Sequence, residues 1–178
     1  ASIGVDTVTR LDTAEQYNII GGVLNFTTGN FTGNNSTQWF FGGGPSTTIT
    51  VVGGVDVNKD GDANDPGDIP TGTLLIRGNF GTANVTVAGQ TFKIAGSQFY
   101  DIKDEGLLLL FEMPNLPYLG NFNISFNAAG SPPSAFTSTQ VLSGDIINTP
   151  IPEPATMLLL GSGLIGLAGF ARRKFRKN

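Results

Sequence analysis

The feature that most constrains this chain is its C-terminal end, where three different kinds of sequence follow one another. Pro152, Glu153 and Pro154 form a stiff, non-helical tripeptide, because proline fixes φ and moves the preceding residue out of the α region. Residues 155–171 carry no charge, and a helix of this length reaches about 25 Å, slightly less than a hydrocarbon core of about 30 Å. The chain then ends in a basic cluster made of Arg172, Arg173, Lys174, Arg176 and Lys177. Because such clusters stay in the cytoplasm, the pattern predicts one short C-terminal transmembrane helix with everything before Pro152 outside.

The order of Pro-Glu-Pro, apolar span and arginine cluster resembles the PEP-CTERM sorting signal of Gram-negative bacteria. The resemblance covers residues 150–178. It implies that an exosortase, an integral-membrane protease, recognises the tail and processes the chain near Pro-Glu-Pro. The product is then released or attached outside the cell, often with exopolysaccharide. The sorting residues that the resemblance implies are Pro152, Glu153, Pro154, Arg172 and Arg173. Proteins with this signal carry varied outer domains, so the fold of residues 1–149 needs its own argument.

Residues 1–149 amount to about one domain, with the sorting tail at 150–178 as a separate unit. A signal peptide that has already been removed would explain why the sequence starts with Ala1. The outer domain carries 5 Lys/Arg and 13 Asp/Glu, so its net charge is 5 − 13 = −8. Phosphate backbones would repel such a domain, which excludes nucleic acid as a partner.

The chain has no histidine and no cysteine, which removes the commonest general base, the commonest metal ligand and any disulfide. No nucleophile and base signature is visible. Four carboxylates lie close together in the sequence, but they fit a polar turn before a buried strand better than a glycosidase pair. They are Asp101, Asp104, Glu105 and Glu112. The sequence therefore predicts a protein that is not an enzyme.

Many short β-prone runs separated by turn residues predict an all-β fold, either a β-sandwich or a jelly roll. One hairpin is clear at 84–88 and 91–95, joined by a two-residue turn that starts with Gly89. The run from Leu107 to Phe111 reads as a central strand covered on both faces, with a short buried helix as the alternative. Residues 143–151 read as a flexible linker that would give a protease access to Pro-Glu-Pro.

Trp39, Phe40 and Phe41 stand together before a glycine-rich turn. Exposed aromatic side chains of this kind can stack on sugars, which makes Trp39 the candidate for glycan binding. Core packing is the favoured interpretation, because large aromatic residues dominate β cores.

The best local candidate for a site is the acidic stretch 56–68, which opens with the D-x-N-x-D-G pattern of calcium loops. It resembles the loops of EF-hand and dockerin-like modules. It departs from them at position 12, where Gly67 replaces a glutamate, and in its flanks, which read as strands. The predicted Ca²⁺ ligands are Asp56, Asn58, Asp60, Asp62 and Asp68, with Asp65 as the alternative closing carboxylate. The other interpretation is a solvated acidic turn.

These observations predict an exported, non-enzymatic structural protein of the cell surface or extracellular matrix, anchored at least transiently in the inner membrane by its tail. Exposed strand edges would allow it to associate with itself, up to filaments. Residues 1–12 could supply an exchanged strand, although an ordinary first strand is the favoured role. The alternative function is a calcium-dependent module that binds exopolysaccharide.

Overall fold

The computed structural model describes residues 2–10, 12–88, 91–135 and 137–151, which are almost entirely antiparallel β-sheet. This confirms the predicted all-β class. The strands are β1 (Ser2–Gly4), β2 (Thr7–Thr9), β3 (Gln16–Thr27), β4 (Phe31–Asn34), β5 (Gln38–Phe41), β6 (Thr48–Asp56), β7 (Ile69–Asn79), β8 (Thr82–Ala88), β9 (Thr91–Lys103), β10 (Tyr118–Ala129) and β11 (Thr137–Pro150), with helix α1 at Glu105–Leu110. None of the described residues belongs to a helix long and apolar enough to cross a membrane. The predicted transmembrane helix lies outside these ranges.

The described strands form a single sheet. Three long stretches of the chain, β3 with β4, β5 with β6, and β7 with β8, each pair with the next stretch along the chain. β3 pairs with β6, β6 with β7, and β7 with the last residues of β9. A second series of antiparallel pairs joins β4 to β5, β5 to β8, and β8 to the first residues of β9. β10 and β11 extend the sheet on the other side of β9, while β1 and β2 pair with β3 as ordinary first strands. A jelly roll needs pairs between strands distant in the chain, which these strands do not form.

Three long strands are interrupted at the same level, between β3 and β4, between β5 and β6, and between β7 and β8. The backbones touch there: a Cβ on Gly43 would overlap the carbonyl oxygen of Gly81. The hydroxyl of the buried Thr47 lies 2.7 Å from the carbonyl oxygen of Gly44 and 2.9 Å from that of Phe80. It also accepts the N–H of Phe80 at 3.0 Å. Glycine contact and hydroxyl together hold a bend across the sheet.

The sheet curls far enough to close a core on one of its faces. β3 and β10 are four strand pairings apart, which would separate them by about 19 Å in a flat sheet at about 4.8 Å per pairing. The ring centroids of Phe26 on β3 and Phe122 on β10 are nevertheless 5.9 Å apart. Along β10, every second residue from Tyr118 to Ile124 is buried, while Leu119, Asn121 and Asn123 between them are exposed. Sandwich-like packing therefore arises between two parts of one sheet.

The predicted central strand at Leu107–Phe111 is wrong, and the alternative of a short buried helix is correct. Asp104 caps α1, because its carboxylate accepts the N–H groups of Gly106 at 2.9 Å and Leu107 at 3.3 Å. The helical period then buries Leu107 and Phe111 while Leu109 stays 72% exposed.

The predicted flexible linker at 143–151 is also wrong, because β11 runs without a break to Pro150. Pro150 pairs with Tyr118 on β10, and the N–H of Ile151 donates to the carbonyl of Pro117 at 3.0 Å. The physical reason lies in β10, whose outer N–H and C=O groups find their partners in β11. The sorting motif therefore follows directly from the folded sheet.

Replacing the hydroxyl at the bend tests its contribution. Thr47→Val keeps the shape of the side chain but leaves the buried N–H of Phe80 without its acceptor, so we expect a loss of about 1–3 kcal/mol in the free energy of unfolding. The matched control is Thr48→Val, which makes the same change at the exposed neighbouring position and should stay within about 0.5 kcal/mol. Urea unfolding of both variants measures the difference. Equal stabilities would contradict this account of the bend.

Candidate functional site

The acidic stretch 56–68 is the loop that joins β6 to β7, and it is built around Asp56. The side chain of Asp56 is buried at the end of β6. Its Oδ1 accepts the N–H of Asp60 at 3.2 Å, and its Oδ2 accepts the N–H of Gly61 at 3.0 Å. Gly61 has a φ of +96°, a value that favours glycine. The predicted sharp turn is therefore present and closes on the first predicted ligand.

The next three predicted ligands bond the backbone of the loop itself. Asn58 Oδ1 accepts the N–H of Asp60 at 3.0 Å, and Asp60 Oδ1 accepts that of Asp62 at 2.9 Å. Asp62 Oδ1 accepts the N–H of Asn64 at 3.0 Å. These contacts form a ladder of Asx-turns. Within the described ranges, no three acidic side chains are arranged so that they could hold a metal ion.

Asp68 closes the loop from its far end. Its Oδ1 accepts the N–H groups of Val57 at 2.8 Å and Asn58 at 3.4 Å. Its Oδ2 is buried and has no hydrogen-bond partner among the described residues. A buried carboxylate oxygen without a partner is costly, since it has lost its water. Within the described residues, this oxygen is the one buried side-chain acceptor of the loop that lacks a partner and could bind a ligand.

The pKa values of Asp60 and Asp65 are shifted in opposite directions. The hydrogen bond from the Asp62 N–H lowers the pKa of Asp60, whereas the hydrogen bond with Asp60 raises the pKa of Asp65. The shared hydrogen bond thus favours the charged form of Asp60 and the protonated form of Asp65.

Trp39 lies in the core, which is the favoured of its two interpretations. It is 3% exposed, stacks on Phe92 at a centroid distance of 5.7 Å, and donates its indole N–H to the carbonyl of Ser134 at 3.0 Å. A sugar-stacking platform needs an exposed ring face. Trp39 offers none in this structure.

The four carboxylates from Asp101 to Glu112 are separated by the fold. Asp101 is buried on β9, and the ammonium of Lys103 lies 2.9 and 3.0 Å from its two oxygens and 3.7 Å above the ring of Tyr118. Burial lowers the pKa of Lys103 and raises that of Tyr118. Asp104 caps α1, and the two glutamates are exposed. Sequence reasoning missed the ion pair, although its i, i+2 spacing puts both charges on one face of a strand.

The predicted sorting residues Pro152, Glu153, Pro154, Arg172 and Arg173 lie outside the described residues. The family model of the PEP-CTERM protein-sorting motif matches residues 150–177. The chain is thus a PEP-CTERM protein in the sense that it carries this motif, which implies exosortase-dependent export and sorting at a membrane. No curated protein and no solved structure matches the chain.

Replacing Trp39 by alanine should lower the free energy of unfolding without affecting any surface site. Trp39→Ala removes a buried ring and its hydrogen bond, so we expect a loss of about 3–5 kcal/mol in the free energy of unfolding. The control is Phe31→Ala, at an aromatic residue that is 52% exposed, where the loss should be below about 1 kcal/mol. Denaturant unfolding compares the two. A stable Trp39→Ala protein would contradict the core position of this residue.

Proposed function

We propose that this protein is a non-enzymatic structural component of the cell surface or extracellular matrix that associates with itself through the free edge of β11. Its sorting tail at 150–178, which we call the sorting segment, inserts into the membrane during export and is processed there by an exosortase. The sorting motif and the β-rich outer domain support this proposal. We do not extend it to glycan binding, because the candidate stacking residue Trp39 is buried.

The observation that carries the proposal is the length and composition of the β11 edge. β11 has 14 residues and pairs with β10 alone among the described strands. The other strands that pair on one side only are short, with three residues each in β1 and β2 and four in β4. β11 contains no lysine or arginine, a single acid at Asp145, and no proline before Pro150. A long edge with a single charge and no proline before its last residue is a template for pairing with another strand.

The buried charged groups support a structural role over catalysis. Asp56 is used to fold its loop, and Asp101 is neutralised by Lys103. The described hydrogen bonds of Asp56 come from backbone N–H groups, and the sequence has no histidine to serve as a base. Asp56 thus holds the loop together, and the Asp101–Lys103 pair links β9 to the ring of Tyr118, in an outer domain that has no disulfides.

Charges placed on the β11 edge should prevent self-association. In detergent, we expect the full chain to form larger assemblies as its concentration rises. The double variant Leu142→Lys with Ile147→Lys should stay monomeric, because lysine on an exposed edge opposes strand pairing. Sedimentation velocity and electron microscopy measure the outcome.

The matched control for this experiment carries the same charge change on β7 and β9, strands that each have neighbours on two sides in the sheet. It is Leu74→Lys with Ile102→Lys, at exposed positions on β7 and β9. The control should assemble like the unmodified protein, and the tail is identical in all three. A chain that stays monomeric at every concentration, or an equal loss in both variants, would rule out assembly through β11.

We further propose that the loop at 56–68 binds Ca²⁺. The supporting observation is the buried Asp68 Oδ2, which lacks a hydrogen-bond partner among the described residues. The loop offers only oxygen side-chain ligands, the type that Ca²⁺ prefers. Binding would require Asp60 and Asp62 to turn from the backbone N–H groups towards the ion, while Asp56 and Asp68 would remain at the two ends of the loop.

Calcium should stabilise the full chain against heat. At a free calcium concentration of about ten times Kd, the gain is about 1.4 kcal/mol, enough to raise Tm by several degrees. EGTA should reverse it, and magnesium should substitute poorly because it demands octahedral geometry. Asp68→Asn should abolish the gain, while Asp145→Asn, which removes an equal charge from β11, should retain it. If Tm and calorimetric titration show no response to millimolar calcium, the loop is an ordinary acidic turn.

A further inference from the structure

The outer face of the sheet carries an apolar patch at the end where the sorting motif begins. Of the eight large hydrophobic side chains that are exposed in the described residues, four lie together here. They are Tyr100 (46% exposed), Ile102 (60%), Leu119 (39%) and Ile147 (55%), and we call them the outer patch. Tyr100 pairs with Leu119 across β9 and β10, and Ile147 on β11 pairs with Asn121, two residues from Leu119. The patch therefore crosses three neighbouring strands.

The exposed side chains of the outer face change from apolar to polar with distance from this end of the sheet. Strand alternation puts the patch on the face opposite the buried Asp101 and Tyr118. Further along β10, the exposed residues are Asn121 and Asn123, and Asn123 pairs with Asp145. Successive outward rows are about 6.6 Å apart, since each contains every second residue. The apolar region is thus confined to three successive rows, about 13 Å from first to last: Ile102, then Tyr100 with Leu119, then Ile147 beside Asn121.

This end of the sheet is also the point from which the sorting segment leaves. Ile151 is hydrogen-bonded to Pro117, one residue before Tyr118, and it precedes Pro-Glu-Pro directly. The uncharged stretch 155–171 starts four residues after Ile151. Four extended residues span at most about 14 Å. Whatever receives the uncharged stretch therefore lies within about 14 Å of the edge of the sheet.

We propose that the outer patch contacts the surface of the lipid bilayer into which the sorting segment inserts, an inference that rests on the membrane insertion proposed above. The two rows nearest the exit of the sorting segment, Ile102 and then Tyr100 with Leu119, lie about 7 Å apart and match the depth of about 5–10 Å to which interfacial segments enter a membrane. Tyrosine is enriched at this interface, and the exposed Arg77, which pairs with Ile102, stands at the margin of the patch where it can reach lipid phosphates.

A lipid surface fits the outer patch better than a second copy of the chain. A stable interface between proteins buries about 800 Å² per partner, or about 20 residues on each side. Four side chains surrounded by asparagines do not provide such an area. A bilayer requires less, because the tethered segment supplies the anchoring and keeps the local concentration of lipid high. The contact would hold Pro-Glu-Pro at the membrane surface, within reach of a membrane protease.

Single cysteine variants of the full chain can test this, because the natural sequence has no cysteine. An environment-sensitive fluorophore is attached at Ile102→Cys in the patch, at Phe31→Cys as an equally exposed control on β4, and at Ser162→Cys in the uncharged stretch. Each protein is reconstituted into phosphatidylcholine vesicles, since anionic lipids would repel a domain with a charge of −8. Lipids carry a quencher either at the headgroup or in the middle of the acyl chain.

We expect headgroup quenchers to reduce the emission at position 102, mid-chain quenchers to reduce it at position 162, and neither to affect position 31. Adding Leu119→Asn and Ile147→Asn should abolish quenching at position 102 and leave position 162 unchanged. Quenching at 162 without quenching at 102 would overturn the lipid contact while leaving membrane insertion intact. Emission at 102 that responds to the ratio of protein to lipid, without quenching, would assign the patch to a second copy. Absence of quenching at 162 would refute membrane insertion and, with it, this inference.

Discussion

The bend across three long strands is the constraint on which the rest of the molecule depends. The contact between Gly43 and Gly81 leaves no room for a side chain, and the Thr47 hydroxyl satisfies the backbone of Phe80 where the ladder is interrupted. Without the bend, β3 would lie about 19 Å from β10 and Phe26 could not reach Phe122. A chain without disulfides has no covalent cross-link to close its core, so the curvature comes from packing and hydrogen bonding of the backbone.

The parts of the fold that the sequence predicts are those with a local period. β10 alternates buried and exposed residues as its sequence does, and the hairpin of β8 and β9 pairs Val85 with Ile94. The run Leu107–Phe111 has no period of its own, so only its length and flanking residues distinguish a strand from a helix. The N-cap residue Asp104 is the signal that favours the helix. The end of β11 was mistaken for a linker because its strand state comes from pairing with β10, which no local pattern records.

The candidate site was predictable in position but not in hydrogen bonding. The D-x-N-x-D-G pattern correctly predicts a turn at Gly61. Asp56 and Asp68 lie at the two ends of the loop that contains this turn. Carboxylate oxygens accept a backbone N–H or bind a cation with similar geometry, so the pattern alone leaves both open. The ion pair of Asp101 and Lys103 was missed for a related reason: burial of charge depends on Tyr118, which comes from another strand.

The continuity between β11 and the sorting motif links the fold to the fate of the chain. The last described backbone hydrogen bond of the sheet in this direction joins Ile151 to Pro117, and Pro-Glu-Pro begins at the next residue. Processing near Pro-Glu-Pro, as the motif implies, would therefore fall beyond the paired residues and leave β11 complete. The edge that we propose for self-association would then be retained by the released protein. Because Pro-Glu-Pro follows Ile151 directly, a membrane that held the sorting segment, as we propose, would also limit how close this edge could come to that of a neighbouring copy.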